Sequence, residues 1–315
     1  MKALIIGGAG FVGNYLIDHL INECRWTVYV TKLENEYINQ DNTSVRNLDI
    51  LNKQAVFELL QEVRPDCIIH LAAQSSVSLS WKNPSITIDV NIKGSTNVLD
   101  AARRLDYKTR ILLIGSGEEY GSILPLEIPI KENNHIRPSN IYAATKACQN
   151  MIGKIYADAY QLDVIMVRAF NHIGPKQSPV FVVSDFCKQV AEIEKGLNNP
   201  IIKVGNLTAK RDFTDVRDVV KAYSLLVQKG KSGETYNVGS GQAITIKEIL
   251  QMILSLSTVM ITVEIDSNKL RPIDVPIIEA DIQKLQECTN WHRCISLNET
   301  ILDTLNYWRN EVKSQ

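Results

Sequence analysis

What the sequence lacks narrows it first. No stretch reaches the roughly 20 uninterrupted apolar residues that a helix needs to span a bilayer. The most apolar later run, Ile249 to Ile265, is broken by Gln251, Ser255, Ser257, Thr258 and Glu264. A secretory signal is not expected, because the strand-like Ala3–Ile6 starts almost at Met1 and leaves no room for a charged n-region, an apolar h-region and a cleavage site. A dominant sign of charge is missing too: 34 Lys+Arg against 35 Asp+Glu leave a formal charge of -1, so no global field draws the chain to nucleic acid or anionic lipid. The 6 cysteines include no Cys-x-x-Cys pair and no nearby His at zinc-ligand spacing, which argues against a metal site and makes buried free thiols the expectation. Together these absences predict a cytoplasmic protein with neither nucleic acid nor membrane as partner.

What is present is ordinary globular composition, 45% hydrophobic and 22% charged over 315 residues, enough for one large domain or two modest ones. No internal repeat or low-complexity tract occurs. Up to about residue 170, short β-branched runs alternate with helical stretches: Ala3–Ile6, Thr27–Val30, Val45–Leu48, Cys67–Leu71, Arg110–Ile114 and Val164–Phe170. Such alternation predicts an α/β fold, a doubly wound parallel sheet. Asn83-Pro84 opens a helix expected to run to Arg104, since proline suits the first helical position. Beyond Phe170 the rhythm loosens, and a second, smaller α/β region is expected. Thr245 with Glu248 and Ser296 with Glu299 read as capping boxes there. The helix Asp215–Val227 and the strand-like Thr235–Val238 read as a return to the first sheet. The predicted units are therefore 1–170 with a return segment 212–237, and 171–211 with 238–315.

Directly after the first strand stands Gly7-Gly8-Ala9-Gly10-Phe11-Val12-Gly13, followed by a helical pattern. Gly8, Gly10 and Gly13 fit G-x-G-x-x-G, and Gly7, Gly10 and Gly13 fit G-x-x-G-x-x-G. Either spacing lets the backbone approach a pyrophosphate at a helix N-terminus. The second strand ends in Val30-Thr31-Lys32-Leu33-Glu34. A hydroxyl and a cation there favour the 2'-phosphate of NADP(H) over NAD(H), although Glu34 suits a ribose diol and Lys32 can equally be a solvated surface residue. Asp49, after the third strand, is placed to meet the adenine, and Leu71-Ala72-Ala73 to lie along the cofactor.

Tyr142 and Lys146 are four residues apart, hence on one helix face. A nearby ammonium stabilises phenolate, so the pair suits proton exchange near neutral pH. Upstream, Gly115-Ser116-Gly117-Glu118-Glu119-Tyr120-Gly121 follows an apolar strand, where Ser116 can hydrogen-bond a substrate oxygen while Tyr142 moves its proton.

The Gly7–Gly13 loop, Asn91, Ser116 and the Tyr142/Lys146 pair, in this order, resemble the extended short-chain dehydrogenase/reductase family, whose members act on nucleotide sugars. The resemblance covers essentially the whole chain, with Ile6 standing where many members have Thr. It implies a Rossmann-type fold, hydride transfer with nicotinamide, Tyr142 as acid/base, Lys146 on the nicotinamide ribose, Ser116 positioning substrate, and cofactor contacts extending to Ile50 and Asn91. Phe170–Pro175, Gly205–Phe213 and Arg271–Val275 are similar to the GDP-mannose 4,6-dehydratase branch. Glu118–Gly121 and Phe213–Asp218 are most similar to its GDP-4-keto-6-deoxymannose reductases, which form GDP-D-rhamnose. By that resemblance Asn171, Lys188, Arg211, Arg271 and Asp274 hold a GDP-linked sugar, surface ion pairing being the alternative for the cations. A homodimer formed by a four-helix bundle of Pro84–Arg104 and Asn140–Tyr160 is implied likewise.

A 4,6-dehydratase needs a base and an acid beyond the tyrosine. Glu118 stands where dehydratases of this kind place their base, but Gly117 occupies the usual position of an Asp or Ser. Simple C4 reduction is therefore favoured, with dehydration and 4-epimerisation on tightly bound cofactor as alternatives. A non-catalytic cofactor sensor is the least favoured reading, because the Tyr/Lys pair is intact.

Overall fold

The protein, here a computed structural model, is described over residues 1–38, 40, 43–270 and 275–312. The first half runs β1 (Lys2–Ile6), α1 (Phe11–Asn22), β2 (Thr27–Lys32), β3 (Ser44–Asn47), α2 (Lys53–Val63), β4 (Cys67–His70), α3 (Val77–Lys82), α4 (Pro84–Ile88), α5 (Ser95–Arg103), β5 (Arg110–Ser116) and α6 (Ile141–Tyr160). Next come β6 (Val164–Ala169), β7 (Asn171–Ile173), α7 (Val182–Glu194), β8 (Ile201–Val204), β9 (Lys210–Asp215), α8 (Val216–Lys229) and β10 (Thr235–Val238). The chain finishes with β11 (Ala243–Thr245), α9 (Ile246–Ser255), β12 (Thr262–Ile265), β13 (Ile277–Ile278), α10 (Gln283–Thr289) and α11 (Leu297–Glu311).

Seven of these strands form one parallel sheet in the order β10-β6-β5-β4-β1-β2-β3. The alternating strand and helix signals thus do form a Rossmann-type sheet, with α/β layering as expected. Apolar residues leave it on both faces. Leu16, Ile17 and Leu20 of α1 pack with Val219, Tyr223 and Leu226 of α8 on one side. Val56, Leu60 and Val63 of α2 pack with Val98 and Leu99 of α5 on the other. The chain reverses direction between β1 and β4, so the crevice at their carboxyl ends opens at Gly7 and Leu71. Ligands bind at such a switch point in open α/β sheets.

The later elements build a four-stranded sheet that holds β11, β9, β13 and β7, and a parallel pair of β8 with β12. Val183, Phe186 and Val190 of α7 share a core there with Ile249 and Ile253 of α9 and Ile301 and Leu305 of α11. Asp212 on β9 fastens this region to the loop after β10: its carboxylate accepts from Ser240 N at 2.6 Å, Gly241 N at 3.0 Å and Ala280 N at 3.1 Å. No helix among the described residues is long and apolar enough to cross a membrane.

Three local expectations change. The segment opening at Pro84 is not one regular helix, since a π-helical turn, Asp89–Gly94, joins α4 to α5. Its cause is packing that periodicity does not reveal: Ile50 fills the space beside Gly94, and Asn91 is drawn inward to other partners. The capping box of Thr245 with Glu248 is reciprocal, whereas Ser296 caps α11 by its hydroxyl, accepting from Glu299 N at 3.2 Å. The cysteines are all free, but only Cys67 and Cys187 are buried; Cys294 is exposed, and the other three are half-buried.

Leu60 is fully buried on α2 and belongs to the core on this face of the sheet. Leu60→Ala is expected to cost about 2–5 kcal/mol, read as a lower urea midpoint with unchanged slope.

Candidate active site

The glycine loop is shaped by contact at three positions and by openness at one. Gly7 has φ +83°, and a Cβ there would stand 2.5 Å from Ala72 Cα. At Gly8 a Cβ would meet Val30 at 2.2 Å, and at Gly13 it would meet the Gly8 carbonyl oxygen at 2.2 Å. Beside Gly10 there is open space to 4 Å, and this residue begins α1 with no side-chain cap and no acidic residue in the first turn. Unpaired N–H groups and the positive end of the helix dipole thus face a gap in the packing, which suits a pyrophosphate. Residues Gly7, Gly10, Phe11, Val12 and Gly13 therefore fit a dinucleotide. Leu71 and Ala72 lie across the same loop, both donating their N–H to Ile6 O, at 2.9 and 2.8 Å, and Ala73 follows them half-buried.

Other expected cofactor residues are placed differently. Thr31 is buried, and its Oγ1 accepts from Gly7 N at 3.0 Å, so its hydroxyl braces the loop and is not presented to a phosphate. Lys32 curls along the backbone, donating to Leu33 O at 3.1 Å and Glu34 O at 3.3 Å. Beside it a cleft of ≈ 460 Å³ is lined by Leu33, Glu34, Asp49 and Asn52, so Asp49 does reach a cavity. Ile50 is a core residue packed against Gly94. Asn91 is fully buried and committed: its Oδ1 accepts from Gln74 N at 2.8 Å, and its Nδ2 donates to Gln74 O at 3.1 Å and Thr145 Oγ1 at 2.9 Å. It ties the loop after β4 to the Tyr142/Lys146 helix and leaves no donor for a ligand.

The carboxyl end of β5 meets the start of α6 in a small polar cluster. Asn140 caps α6, its Oδ1 accepting from Ala143 N at 2.8 Å, and its Nδ2 holds the Glu118 carboxylate at 3.2 Å. Ser116, buried, accepts from Glu118 N at 3.2 Å and lies within side-chain hydrogen-bond reach of Tyr142. The structure thus brings Ser116, Glu118, Tyr142 and Lys146 together. It departs from the expected electrostatics. Burial raises the Tyr142 phenol well above its usual range, and the carboxylates of Glu118 and Glu119 add to this. The Lys146 ammonium donates to Ile114 O at 2.7 Å and Gln149 Oε1 at 3.1 Å. Burial in turn lowers the Lys146 ammonium to about 8, with Glu119 acting to raise it.

Residues the sequence reading passed over complete the frame. Glu119 is fully buried, accepting from Ser116 N at 2.9 Å, Asn150 Nδ2 at 2.8 Å and Arg168 Nε at 2.9 Å. The signal for this was an arginine inside the apolar strand Val164–Ala169, a charge that burial forces to find an anion. His172 stacks on Phe11 of the glycine loop, centroids 6.1 Å apart and rings within 10° of parallel. Its Nδ1 must donate to Phe170 O at 3.1 Å, since a carbonyl only accepts, which leaves Nε2 as an acceptor.

Of the expected substrate residues, Asn171 is half-buried on β7. Arg211, buried on β9, donates to Val275 O at 2.7 Å and Lys210 O at 2.8 Å. Lys188 differs from its neighbours in this set: it lies 5.6 Å from the Trp308 ring centroid and 3.6 Å from Glu192, packed between α7 and α11. Arg271 and Asp274 lie outside the described residues.

The family profile described as GDP-mannose 4,6 dehydratase matches residues 4–304. A GDP-6-deoxy-D-mannose reductase of Pseudomonas aeruginosa is 30% identical over 315 residues, covering 100% of this chain and 99% of its own length. Among solved structures, RMD from Pseudomonas aeruginosa complexed with NADPH superposes with a TM-score of 0.88 at 29% identity, covering 99% of this chain and 100% of that one. UDP-glucose 4-epimerase of Thermus thermophilus in complex with NAD gives 0.88 at 27% identity, again covering 99% and 100%.

The contrast between two loop glycines gives a test. Gly10→Ala, at an open position, is expected to leave the melting temperature of the apoprotein unchanged while weakening nicotinamide cofactor binding by about tenfold or more, roughly 1.4 kcal/mol, in a fluorescence titration. Gly13→Ala, which drives a Cβ into the Gly8 carbonyl, is expected to lower the melting temperature itself.

Proposed function

The chain belongs to the extended short-chain dehydrogenase/reductase family, in its GDP-mannose 4,6-dehydratase-like branch, and from that premise we propose that it reduces the C4 ketone of a GDP-4-keto-6-deoxyhexose. The specific reaction we propose is GDP-4-keto-6-deoxy-D-mannose to GDP-D-rhamnose, with NADPH as reductant. One observation carries this reading over dehydration. A side chain at Gly117 would put its Cβ 3.2 Å from the Phe170 ring, tight enough that the buried ring would have to shift. An auxiliary acid beside Glu118 is thus both missing from the sequence and opposed by the packing. Reduction of a ketone needs one proton donor and one oxyanion partner, which Tyr142 and Ser116 supply.

Bound NADPH contributes the hydride. The chain's own part is acid catalysis: the Tyr142 hydroxyl gives its proton to the C4 oxygen as negative charge develops there, and Ser116 Oγ donates a hydrogen bond to the same oxygen. A phenol held neutral by burial is in the state an acid requires. Glu118, fixed by Asn140, then binds a sugar hydroxyl. The Gly7–Gly13 loop, Asp49 and Leu71–Ala73 hold the dinucleotide, with Lys146 on the nicotinamide ribose. We assign the cofactor to residues 1–170 with 212–237, and the sugar nucleotide to 171–211 with 238–315. In this assignment Asn171 and Arg211 meet the GDP group alongside Arg271 and Asp274. The preference for NADPH rests on Lys32, next in sequence to Leu33 of the cleft that Asp49 lines, and on the NADPH bound by the Pseudomonas aeruginosa relative. Exposed Ile88, Met151, Ile155 and Tyr160 on α4 and α6 support a homodimer through these helices.

A second reading is favoured by Glu118 alone. Its carboxylate acts on the Tyr142 phenol and is oriented by a hydrogen bond, as the base of a 4,6-dehydratase must be.

Mixing the protein with GDP-4-keto-6-deoxy-D-mannose and either NADPH or NADH is expected to consume nicotinamide absorbance, faster with NADPH, and to yield GDP-D-rhamnose by NMR. Tyr142→Phe is expected to lower kcat by about 10²–10⁴-fold. Conversion of GDP-mannose to a 4-keto sugar without net oxidation would instead establish the dehydratase. In sedimentation velocity the wild-type chain is expected to run as a dimer, and the double variant Met151→Glu, Ile155→Glu as a monomer.

A further inference from the structure

We infer that Gln149 is a positioning residue for Lys146, holding its ammonium through a buried hydrogen-bond chain that runs back to His70 on β4. The inference rests on the reading of Tyr142 and Lys146 as the acid/base pair, and it adds a residue to that site. Gln149 is fully buried one turn beyond Lys146 on α6, and Ser95 and His70 are 1% exposed. Gln149 Oε1 stands 3.1 Å from Lys146 Nζ and 3.2 Å from Ser95 Oγ, and Ser95 Oγ stands 3.0 Å from His70 Nε2.

The direction of every bond follows from donor and acceptor chemistry. An ammonium only donates, so Gln149 Oε1 accepts from Lys146. The amide is locked in that orientation because its Nε2 donates to Ile114 O at 3.1 Å. Ser95 gives its proton to the same Oε1, so its oxygen must accept from His70 Nε2–H. That leaves Nδ1 buried and without a partner among the described residues. Burial, helped by the Lys146 charge, holds His70 far below its usual range, at about 3, so it brings no second positive charge to the site.

The chain matters because Gln149 Oε1 is the side-chain acceptor of the Lys146 ammonium, beside the backbone oxygen of Ile114 at 2.7 Å. Of the ionisable groups facing it, Glu119 after β5 is the carboxylate that favours the ammonium, and Glu119 is shared with Arg168 of β6. His70 faces it from β4. An oxygen at 3.1 Å, fixed by a second donor, stabilises the charged form where burial opposes it. A glutamine that merely filled space would have no such effect.

The test titrates Lys146 directly in the apoprotein labelled with [ε-13C]lysine, using Lys146→Met to assign its NMR signal. Gln149→Leu and Gln149→Met remove the acceptor, and Gln149→Glu replaces it with a carboxylate. The expected result is a titration midpoint lowered by about one pH unit in the Leu and Met variants and raised by about one unit or more in the Glu variant. Midpoints that stay at the wild-type value, or that move in one direction for all three, would overturn the proposal. Melting curves identify any variant that does not fold, and Gln149→Glu alone still gives a decisive sign. No substrate or turnover enters the measurement, so a negative result leaves the reductase reading standing, and failure of that reading leaves this titration interpretable.

Discussion

The carboxyl edge of β5 hangs on a fully buried carboxylate. Glu119 accepts from the backbone of Ser116, from Asn150 on α6 and from Arg168 on β6, so one side chain fixes the end of one strand against its neighbour and against the helix that carries Tyr142 and Lys146. Arg168 extends the frame, donating to Tyr120 Oη and Glu132 O, while Tyr120 Oη donates to Asn237 of the edge strand β10. A buried ion pair gains little over an apolar pair of equal size, but losing one partner costs roughly 3–5 kcal/mol because the other is left charged and dry. Such a frame is therefore brittle toward single substitution and exact about geometry. Its value to the protein lies in the placement of Ser116.

That frame explains why the chemistry sits at a sheet end and not in the loose loops around it. The glycine loop approaches Ala72 because Gly7 has no Cβ, and Thr31 beneath it accepts from the loop's own backbone. Asn91, drawn into the π turn between α4 and α5, links the loop after β4 to Thr145 beside the Tyr142/Lys146 pair. The loop after β4, which lies against the glycine loop, is thus connected to α6 through buried hydrogen bonds, each of which would be costly to leave unmade. Desolvation then sets the character of both side chains: it holds the Tyr142 phenol neutral and makes the Lys146 ammonium easier to lose.

Much of this was legible in order along the chain. Short, continuously apolar β-branched runs alternating with helical stretches specify a parallel sheet, because each strand must be covered on both faces. Gly7 to Gly13 after a first strand, and a tyrosine and lysine four apart, stand out as candidates by their spacing, while their roles are what the family resemblance implies. The helix from Pro84 reads well at its ends, where capping is local, and misreads in its middle. There the geometry answers to Ile50 and Gln74, residues distant in sequence.

The division follows from the range of the forces involved. The layers and the place of the glycine loop between the first strand and helix could be read along the chain, because these depend on propensity, periodicity and contacts within a few residues. Only the tertiary structure decided that Thr31 braces a loop, that Asn91 joins two elements, that Lys146 faces Gln149 and not the phenol, and that Glu119 has Arg168 for a partner. Each of those outcomes is a choice among hydrogen-bond partners that burial makes compulsory, and which partner is within reach is settled only when strands distant in sequence lie side by side.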